Sequence, residues 1–198
     1  CALPIYNRFG QLVMSPMITI TDDALDPAGL PASFDYEGLP KQPVSIVKNG
    51  VALGAVYDSF TAGREAGRQS TGHATPPSPE ERRGPLPMNL FLRPGTSNIE
   101  EMIRSTKNGI YVTRFWYTRM VQPRDVTVTG MSRDGTFLIR DGEIAHPLKS
   151  MRFTQSYLDA FNHAELLGAD PKTLRVGAGS VCVPGAKLGQ FRFTSSTQ

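Results

Sequence analysis

The sequence predicts a strand-dominated α+β domain, an antiparallel β-rich fold that is barrel-like or a sandwich and carries two short helices. Three observations predict it. Hydrophobic residues recur mostly with a period of two, two dipeptides suited to tight hairpin turns separate such stretches, and only two stretches show helical spacing. At 198 residues the chain has the length of one domain and can bury a sizeable core. We therefore interpret 1–198 as a single domain.

The predicted strands begin with the alternating stretch 17–21. Asn49-Gly50 then joins strands 44–47 and 51–57, and Asp141-Gly142 joins strands 136–140 and 143–146. Both dipeptides favour the positive φ angles that a type I′ turn requires, so each predicts a β-hairpin. Enrichment in β-branched and aromatic residues predicts further strands at 110–117, 125–129 and 190–194.

Two helices are expected between the strands. Ser97 and Glu100 have the spacing of a capping box, which predicts a helix that starts here and ends before Gly109. A second helix is expected over 155–167, because its apolar residues fall on one face and Gly168 follows as a stop signal.

A long connection separates the first hairpin from the first helix. Residues 61–90 are rich in glycine and proline, and loops of this length are typically functional or disordered. We expect its Pro-rich part to be mobile and its ends to be anchored. The run Thr71-Gly72-His73-Ala74 lies in this loop. Because ordered functional loops often carry polar side chains, His73 is the histidine for which a functional role is most expected.

Composition excludes several classes of partner. The net charge of +3 comes from interspersed basic and acidic residues without a basic stripe, so no nucleic-acid partner is expected. No apolar run approaches the roughly 20 residues of a membrane-spanning helix, so no membrane partner is expected. Two cysteines and no recognisable secretory signal favour the cytoplasm.

The cysteines and histidines leave alternatives open. Cys182 has two possible roles. It is either a small buried hydrophobic residue or, because a Gly-rich stretch precedes it and favours a loop, a thiolate that could bind a metal ion. Cys1 could be an N-terminal nucleophile or could mark the end of a truncated chain. The three histidines, His73, His146 and His163, do not have metal-ligand spacing, and the chain has no HExxH, CxxC or phosphate-loop motif.

An ordered series of motifs resembles the TldD/PmbA family. The segment 94–103, PGTSNIEEMI, is followed by the strand GIYV at 109–112. Thr21-Asp22-Asp23, the hairpin at Asn49-Gly50, the loop TGHA at 71–74 and the hairpin before His146-Pro147 match in the same order. The resemblance covers nearly the whole chain and corresponds to the C-terminal half of the family's proteins.

The resemblance implies part of a cytosolic zinc metallopeptidase that acts on peptides, from a family once labelled modulators of DNA gyrase. Family members are dimers whose N-terminal half carries an HExxxH helix in the active, TldD-like type, and a late cysteine is the third zinc ligand. That cysteine aligns with Cys182. The implied partners are a peptide substrate, the protein's own N-terminal half, and a second subunit in a homo- or heterodimer.

The resulting hypothesis is a C-terminal domain that supplies one zinc ligand, Cys182, and part of a substrate groove, and that is inactive alone. We expect Ile110, Tyr111 and Val112 to pair with an extended substrate, and Thr71, Gly72 and His73 to close over it. The alternative for the strand is a central position with neighbours on both sides. The alternative for the protein is a non-catalytic, PmbA-like partner or scaffold in which Cys182 is merely buried.

Overall fold

The computed structural model describes residues 6–77 and 84–196 and divides the chain into two compact units. The first lies within Cys1–Pro94 and Pro171–Pro184, and the second within Gly95–Asp170 and Gly185–Gln198. Both units lie inside the stretch that the sequence predicts as one domain. The chain therefore leaves the first unit, builds most of the second, and returns to complete the first with two strands.

The first unit contains a six-stranded sheet with the order β10-β11-β4-β1-β2-β3. Strand β11 runs parallel to β4, and the other neighbours are antiparallel. The strands are β1 (Ile20–Asp22), β2 (Val44–Lys48), β3 (Val51–Ala52), β4 (Asn89–Leu92), β10 (Lys172–Val176) and β11 (Gly179–Val183). A short 3₁₀ helix, Tyr6–Arg8, precedes them.

The first predicted hairpin is confirmed. Asn49 and Gly50 have φ angles of 49° and 78°, as a type I′ turn requires, and they join β2 to β3. A Cβ atom at position 50 would lie 2.3 Å from the Met14 carbonyl oxygen, so only glycine fits there. The second strand is shorter than expected because the chain leaves the ladder after Leu53, whose N–H still donates to the Ile46 carbonyl.

A short helix in the first unit was missed by the sequence analysis. Helix α1 (Ser59–Ala62) follows Asp58, whose carboxylate accepts the Thr61 N–H at 2.7 Å. Four residues are too few to show a helical period, so its only sequence signal is the cap. Ala62 packs with Ala55 and Tyr57 in a small buried cluster.

The long loop is anchored at the ends that the structure describes. Thr71 N–H donates to the Tyr57 carbonyl at 3.0 Å, and Leu86 N–H donates to the His73 carbonyl at 3.3 Å. No helix or strand is described between α1 and β4 in residues 63–77 and 84–88. The predicted mobile, Pro-rich part falls largely on residues 78–83, which lie outside the described residues.

The second unit is built on an open five-stranded sheet with the order β13-β8-β6-β5, in which β7 also pairs with β6. A two-stranded sheet joins β9 and β12. No sheet in the described part of the chain closes into a barrel, so the strand-dominated α+β class is confirmed without its barrel-like option. The strands are β5 (Asn108–Gln122), β6 (Thr127–Arg140), β7 (Glu143–Pro147), β8 (Met151–Ser156), β9 (Ala164–Leu167), β12 (Ala186–Leu188) and β13 (Phe193–Ser196).

Two predicted strands turn out to be one. The stretch predicted at 136–140 and the part of 125–129 from Thr127 onward belong to β6, which continues through a bulge at Asp134 (φ 67°). The hairpin at Asp141-Gly142 is confirmed, with φ angles of 50° and 84°. The terminal strand lies slightly later than predicted because Phe191 packs against the rings of Phe115 and Phe153 before β13 begins.

The first predicted helix exists, but its cap is one residue later than predicted. In helix α2 (Ile99–Arg104), Asn98 accepts the Glu101 N–H at 2.8 Å, and Glu101 in turn accepts the Asn98 N–H at 3.1 Å. The backbone of Ser97 instead bridges to Gly168, with its N–H donating to the Leu167 carbonyl. Tertiary pairing therefore moves the capping box from Ser97 to Asn98.

The second predicted helix, 155–167, is wrong in extent. Residues up to Ser156 belong to β8, helix α3 covers only Tyr157–Asn162, and Ala164–Leu167 form β9. Ser156 caps α3 by accepting the Asp159 N–H at 3.3 Å. The described helices have at most six residues each, and none of them could cross a membrane.

Candidate functional site

Cys182 lies inside the six-stranded sheet of the first unit. Its strand β11 is flanked by β4 and β10, and Cys182 stands opposite Phe91 on one side and Thr173 on the other. The residue is 7% exposed and forms no disulfide with any described residue. Its position therefore fits both predictions made for it, a small buried hydrophobic residue and a thiolate at the wall of a site.

A cavity of about 390 Å³ opens beside Cys182. The strands β1, β4 and β11 and the turn after β1 form its walls, so it belongs wholly to the first unit. Its lining combines apolar side chains with two carboxylates and one guanidinium, and it includes Thr21, Asp23, Asp26, Phe91, Arg93 and Cys182. Such a mixture of an apolar surface and a few polar groups is typical of a ligand site.

The two carboxylates of the cavity are held by local turns. Asp23 accepts the Leu25 N–H at 2.9 Å, and Asp26 accepts the Ala28 N–H at 2.8 Å. Aspartate commonly stabilises a turn by accepting an N–H two residues later. Thr173 on β10 then donates its hydroxyl to the Ala28 carbonyl at 2.7 Å, which fixes the turn to the sheet near Cys182.

A buried chain of hydrogen bonds positions β11 from within. Asp22 accepts from the Asn89 backbone N–H at 2.8 Å, and the Asn89 side-chain oxygen accepts the Ser180 hydroxyl at 2.9 Å. All three side chains are at most 3% exposed. Ser180 stands two residues before Cys182, so this chain fixes the strand that carries the thiol.

His73 forms the other end of that chain. Its Nε2 lies 2.8 Å from the Asp22 carboxylate, and its Nδ1 lies 2.8 Å from the Thr71 carbonyl and 2.9 Å from the Thr71 hydroxyl. The His73 side chain is completely buried. Thr71 also bonds the Tyr57 backbone, so the loop is packed into the unit by polar contacts.

Gly72 has a backbone that only glycine adopts without strain. Its φ angle is 72°, and an added Cβ would lie 2.2 Å from the Pro40 carbonyl oxygen. The structure thus brings Thr71, Gly72 and His73 together with Asp22, in the interior of the first unit. Their contact with a substrate stays a prediction.

A second buried carboxylate, Asp35, contacts this loop by accepting the Ala74 N–H at 2.8 Å. Burial by itself raises the pKa of Asp35, but N–H groups of Ala74, Leu39 and Glu37 and the charge of Lys41 offset that effect and hold the pKa below its usual value. Burial lowers the pKa of Lys41, although Asp22 and Asp35 oppose this. The loop that carries His73 is therefore tied to an interior ionic cluster.

Ile110, Tyr111 and Val112 lie on β5, in the second unit. They stand opposite Leu138, Phe137 and Thr136 of β6, and all three are half-buried. Strand β5 is hydrogen-bonded to β6 alone among the described strands, so its other edge is open. The alternative of a central strand with neighbours on both sides is therefore wrong.

The described residues do not form a complete metal site. Within 6–77 and 84–196, no three His, Cys, Asp or Glu side chains lie together so as to hold a metal ion. The three histidines have other partners. His73 is hydrogen-bonded to Asp22, and His146 and His163 are hydrogen-bonded to backbone carbonyls. Cys1, the proposed nucleophile, lies outside the described residues.

The sequence analysis missed the buried polar residues that connect these elements. Asp22, Asn89 and Ser180 are separated by 67 and 91 positions, so their spacing carries no signal. One signal was present. Ile18, Ile20 and Asp22 are spaced two apart, so their side chains share one face of the strand, and the isoleucines indicate that this face is buried. A charge at an inward position indicates a buried partner.

Comparison with known proteins identifies relatives over nearly the full chain. The family model described as the PmbA/TldA metallopeptidase C-terminal domain matches residues 3–195. A metalloprotease TldD homologue from Haemophilus influenzae is 29% identical over 179 residues, which are 89% of this chain and 36% of that protein. A metalloprotease from Methanothermobacter thermautotrophicus is 25% identical over 177 residues, 87% of this chain and 37% of that protein.

The fold has also been seen before. The crystal structure of TldE from Thermococcus kodakarensis superimposes with a TM-score of 0.82 at 20% identity, over 97% of this chain and 43% of that one. At that identity the match establishes the fold. The chain spans a little over a third of the length of the two metalloproteases it matches.

Proposed function

The chain belongs to the family of PmbA/TldA metallopeptidase C-terminal domains, and on that premise we propose that it is part of a TldD-like, zinc-dependent peptidase acting on peptides or unfolded segments. Within that enzyme it supplies one metal ligand and part of the substrate groove. The observation that carries the proposal is a free cysteine, Cys182, at the wall of a cavity that also holds two carboxylates.

Cys182 is the residue proposed to bind the metal. Thiolate sulfur is a preferred zinc ligand, and catalytic zinc sites use three protein ligands. Since the described residues form no complete site, the remaining ligands must come from outside this part of the chain. The 198 residues alone are therefore proposed to be inactive.

The open edge of β5 is the proposed place for the peptide. An extended peptide can add a strand to such an edge, where main-chain hydrogen bonds give affinity without demanding a particular sequence. The edge position of Ile110, Tyr111 and Val112 supports this role. For Thr71, Gly72 and His73 the observed packing favours a supporting role in the first unit, and we retain substrate contact as a hypothesis for Thr71, which is half-buried.

The proposed partners follow from the same premise. The protein's own N-terminal half would complete the metal site, and a second subunit would form a homo- or heterodimer in the cytoplasm. No nucleic acid or membrane is included in the proposal.

The direct test compares the isolated chain with the full-length protein. We expect the isolated chain to bind zinc no better than its Cys182→Ser variant in equilibrium dialysis, and to cleave no unfolded protein. In the full-length protein, Cys182→Ser should lower zinc occupancy and proteolysis together, whereas Leu174→Ser, at an exposed position of the neighbouring strand β10, should leave both unchanged. Zinc-dependent proteolysis by the isolated chain would contradict the proposal.

The second candidate is a non-catalytic partner of the PmbA kind. The 7% exposure of Cys182 and the absence of a ligand cluster among the described residues favour it. An HExxxH motif elsewhere in the full-length protein would support the peptidase, and its absence would support the partner. Unchanged zinc occupancy in full-length Cys182→Ser would also support the partner.

A further inference from the structure

One face of the second unit's sheet carries an unusual concentration of arginine. On β6, Val128, Gly130 and Ser132 are buried, so the alternate residues Thr129, Met131 and Arg133 form the outer face. Residues directly opposite one another in a sheet share a face. By that rule the outer face also holds Arg114, Trp116 and Arg119 of β5 and Arg152 of β8. We call these four arginines and Trp116 the arginine face.

A backbone bulge brings the third of these β5 side chains onto the face. Arg119 is three residues after Trp116, so regular alternation would turn it away. Tyr117 adopts a φ angle of 55°, and the register shifts so that Trp116 stands opposite Met131 and Arg119 opposite Thr129. The bulge thus makes Arg114, Trp116 and Arg119 three successive outward positions along an open edge.

The charges of this face are incompletely balanced. Arg114 donates through Nε to Asp134 at 2.6 Å, and its guanidinium lies 5.2 Å from the Trp116 ring centre. Arg133, directly opposite Arg114, lies 5.3 Å from the same ring. Like charges directly opposite one another repel. Asp134 is the carboxylate that forms ion pairs with both Arg114 and Arg133. The side chains of Arg114 and Arg133 are 49% and 57% exposed, so a further anion can reach them.

We propose that the β5 edge selects extended peptides with acidic side chains at alternate outward positions around an apolar one. This inference rests on the proposed function, because it assumes that a peptide strand pairs with β5. Successive outward residues of that strand, two apart in sequence, would stand beside Arg114, Trp116 and Arg119. The preferred segment is therefore acidic–any–apolar–any–acidic, in which the carboxylates meet guanidinium groups and the apolar side chain meets the indole.

The test measures binding of fluorescently labelled nine-residue peptides to the chain by anisotropy. The acidic peptide has Glu at positions 3 and 7, Leu at position 5 and Thr or Ser elsewhere. Matched peptides carry Gln or Lys at positions 3 and 7. We expect the acidic peptide to bind about three- to tenfold more tightly than the Gln peptide, since two partly exposed ion pairs each contribute modestly, and the Lys peptide to bind most weakly.

Two variants and one control locate the effect. Arg114→Gln and Arg119→Gln should each remove about half of the free-energy preference for Glu over Gln, and the double variant should remove most of it. Salt at 0.5 M should act like the double variant because these charges are exposed. Arg175→Gln on β10 in the first unit removes an arginine that is also exposed and should change nothing. Thermal unfolding of each variant checks that it is folded.

The outcomes separate the two hypotheses. Equal binding of the Glu and Gln peptides would overturn the acidic preference while supporting peptide binding. No binding of any peptide would overturn the inference and count against the β5 edge as the proposed substrate site. A further outcome is that a single-stranded oligonucleotide binds instead of the peptides and loses affinity for the Arg114→Gln variant. The arginine face would then be a nucleic-acid-binding surface, and the peptide proposal would be overturned.

Discussion

At the scale of single residues, the pair of His73 and Asp22 shows how a loop is attached to a sheet. The two side chains are completely buried and lie 2.8 Å apart, and Asp22 also accepts the Asn89 N–H. A buried carboxylate is costly unless it has partners, because it has lost its water. The histidine therefore stabilises the end of β1 as well as its own loop.

Replacement of His73 should consequently destabilise the fold. For His73→Ala we expect a loss of about 3 kcal/mol in the free energy of unfolding, from the cavity and from a carboxylate deprived of a partner. Urea denaturation followed by circular dichroism measures it. His146→Ala removes an exposed ring and should change the free energy by less than about 0.5 kcal/mol. Equal effects of the two variants would show that the buried pair contributes little.

The lowered pKa of Asp35 predicts that the stability of the fold depends on pH. Its pKa is lower in the folded protein than the usual value of 3.8, so the unfolded chain binds a proton first as the pH falls. Its contribution to stability is therefore complete above pH 3.8 and is lost as the pH falls through the lower, folded pKa. Asp35→Asn should destabilise the protein most at pH 7, and the difference from wild type should shrink below about pH 4. A difference that is constant from pH 7 to pH 3 would contradict this.

At the scale of elements, local turn chemistry was predictable and pairing was not. Asn49-Gly50 and Asp141-Gly142 determine their own backbone angles, so both hairpins were predicted from two residues each. The cap of α2 depends on Ser97 bridging to Gly168, some seventy positions away, which local sequence cannot reveal. The same limit explains why the end of β8 and all of β9 were interpreted as one helix with α3: the pairing of these strands with β6 and β12 is not visible in local sequence.

The corrected capping box can be tested with adjacent variants. Asn98→Ala removes the acceptor of the Glu101 N–H and should cost about 1 kcal/mol of stability. Ser97→Ala leaves both backbone bonds of that residue intact and should cost clearly less. Chemical denaturation of the two variants, side by side, measures the difference. If Ser97→Ala were the more damaging change, Ser97 would be the cap.

At the scale of the whole molecule, the sequence predicted the fold class, which is confirmed, but outside the two hairpins it did not predict which strands lie beside one another. Strand periodicity reports which face of a strand is buried, whereas the neighbour of each strand is decided by packing over long separations. The parallel pairing of β11 with β4, which places Cys182 against Phe91, joins segments about ninety residues apart. The sequence therefore drew attention to Cys182 without indicating the cavity beside it.

The exposed apolar residues of the first unit lead to a prediction about assembly. Phe34, Tyr36 and Phe60 are each more than 60% exposed. They belong to two segments joined where the Ser59 N–H donates to Glu37 at 3.0 Å. Large exposed apolar side chains that lie near one another typically mark an interface. Because the relatives are more than twice as long as this chain, we expect another part of the protein or a second subunit to cover these residues.

The isolated chain should therefore self-associate as its concentration rises. Light scattering coupled to size-exclusion chromatography should show a growing mass, and Phe34→Ser with Phe60→Ser should shift the chain toward monomer because both substitutions remove exposed apolar area. Leu174→Ser on β10 removes an apolar side chain of somewhat lower exposure, 53%, that belongs to neither segment, and it should leave the association unchanged. A monomer at every concentration would contradict the prediction. Equal effects of the Phe and Leu174 variants would show that association is non-specific, because only an interface that includes Phe34 and Phe60 distinguishes them.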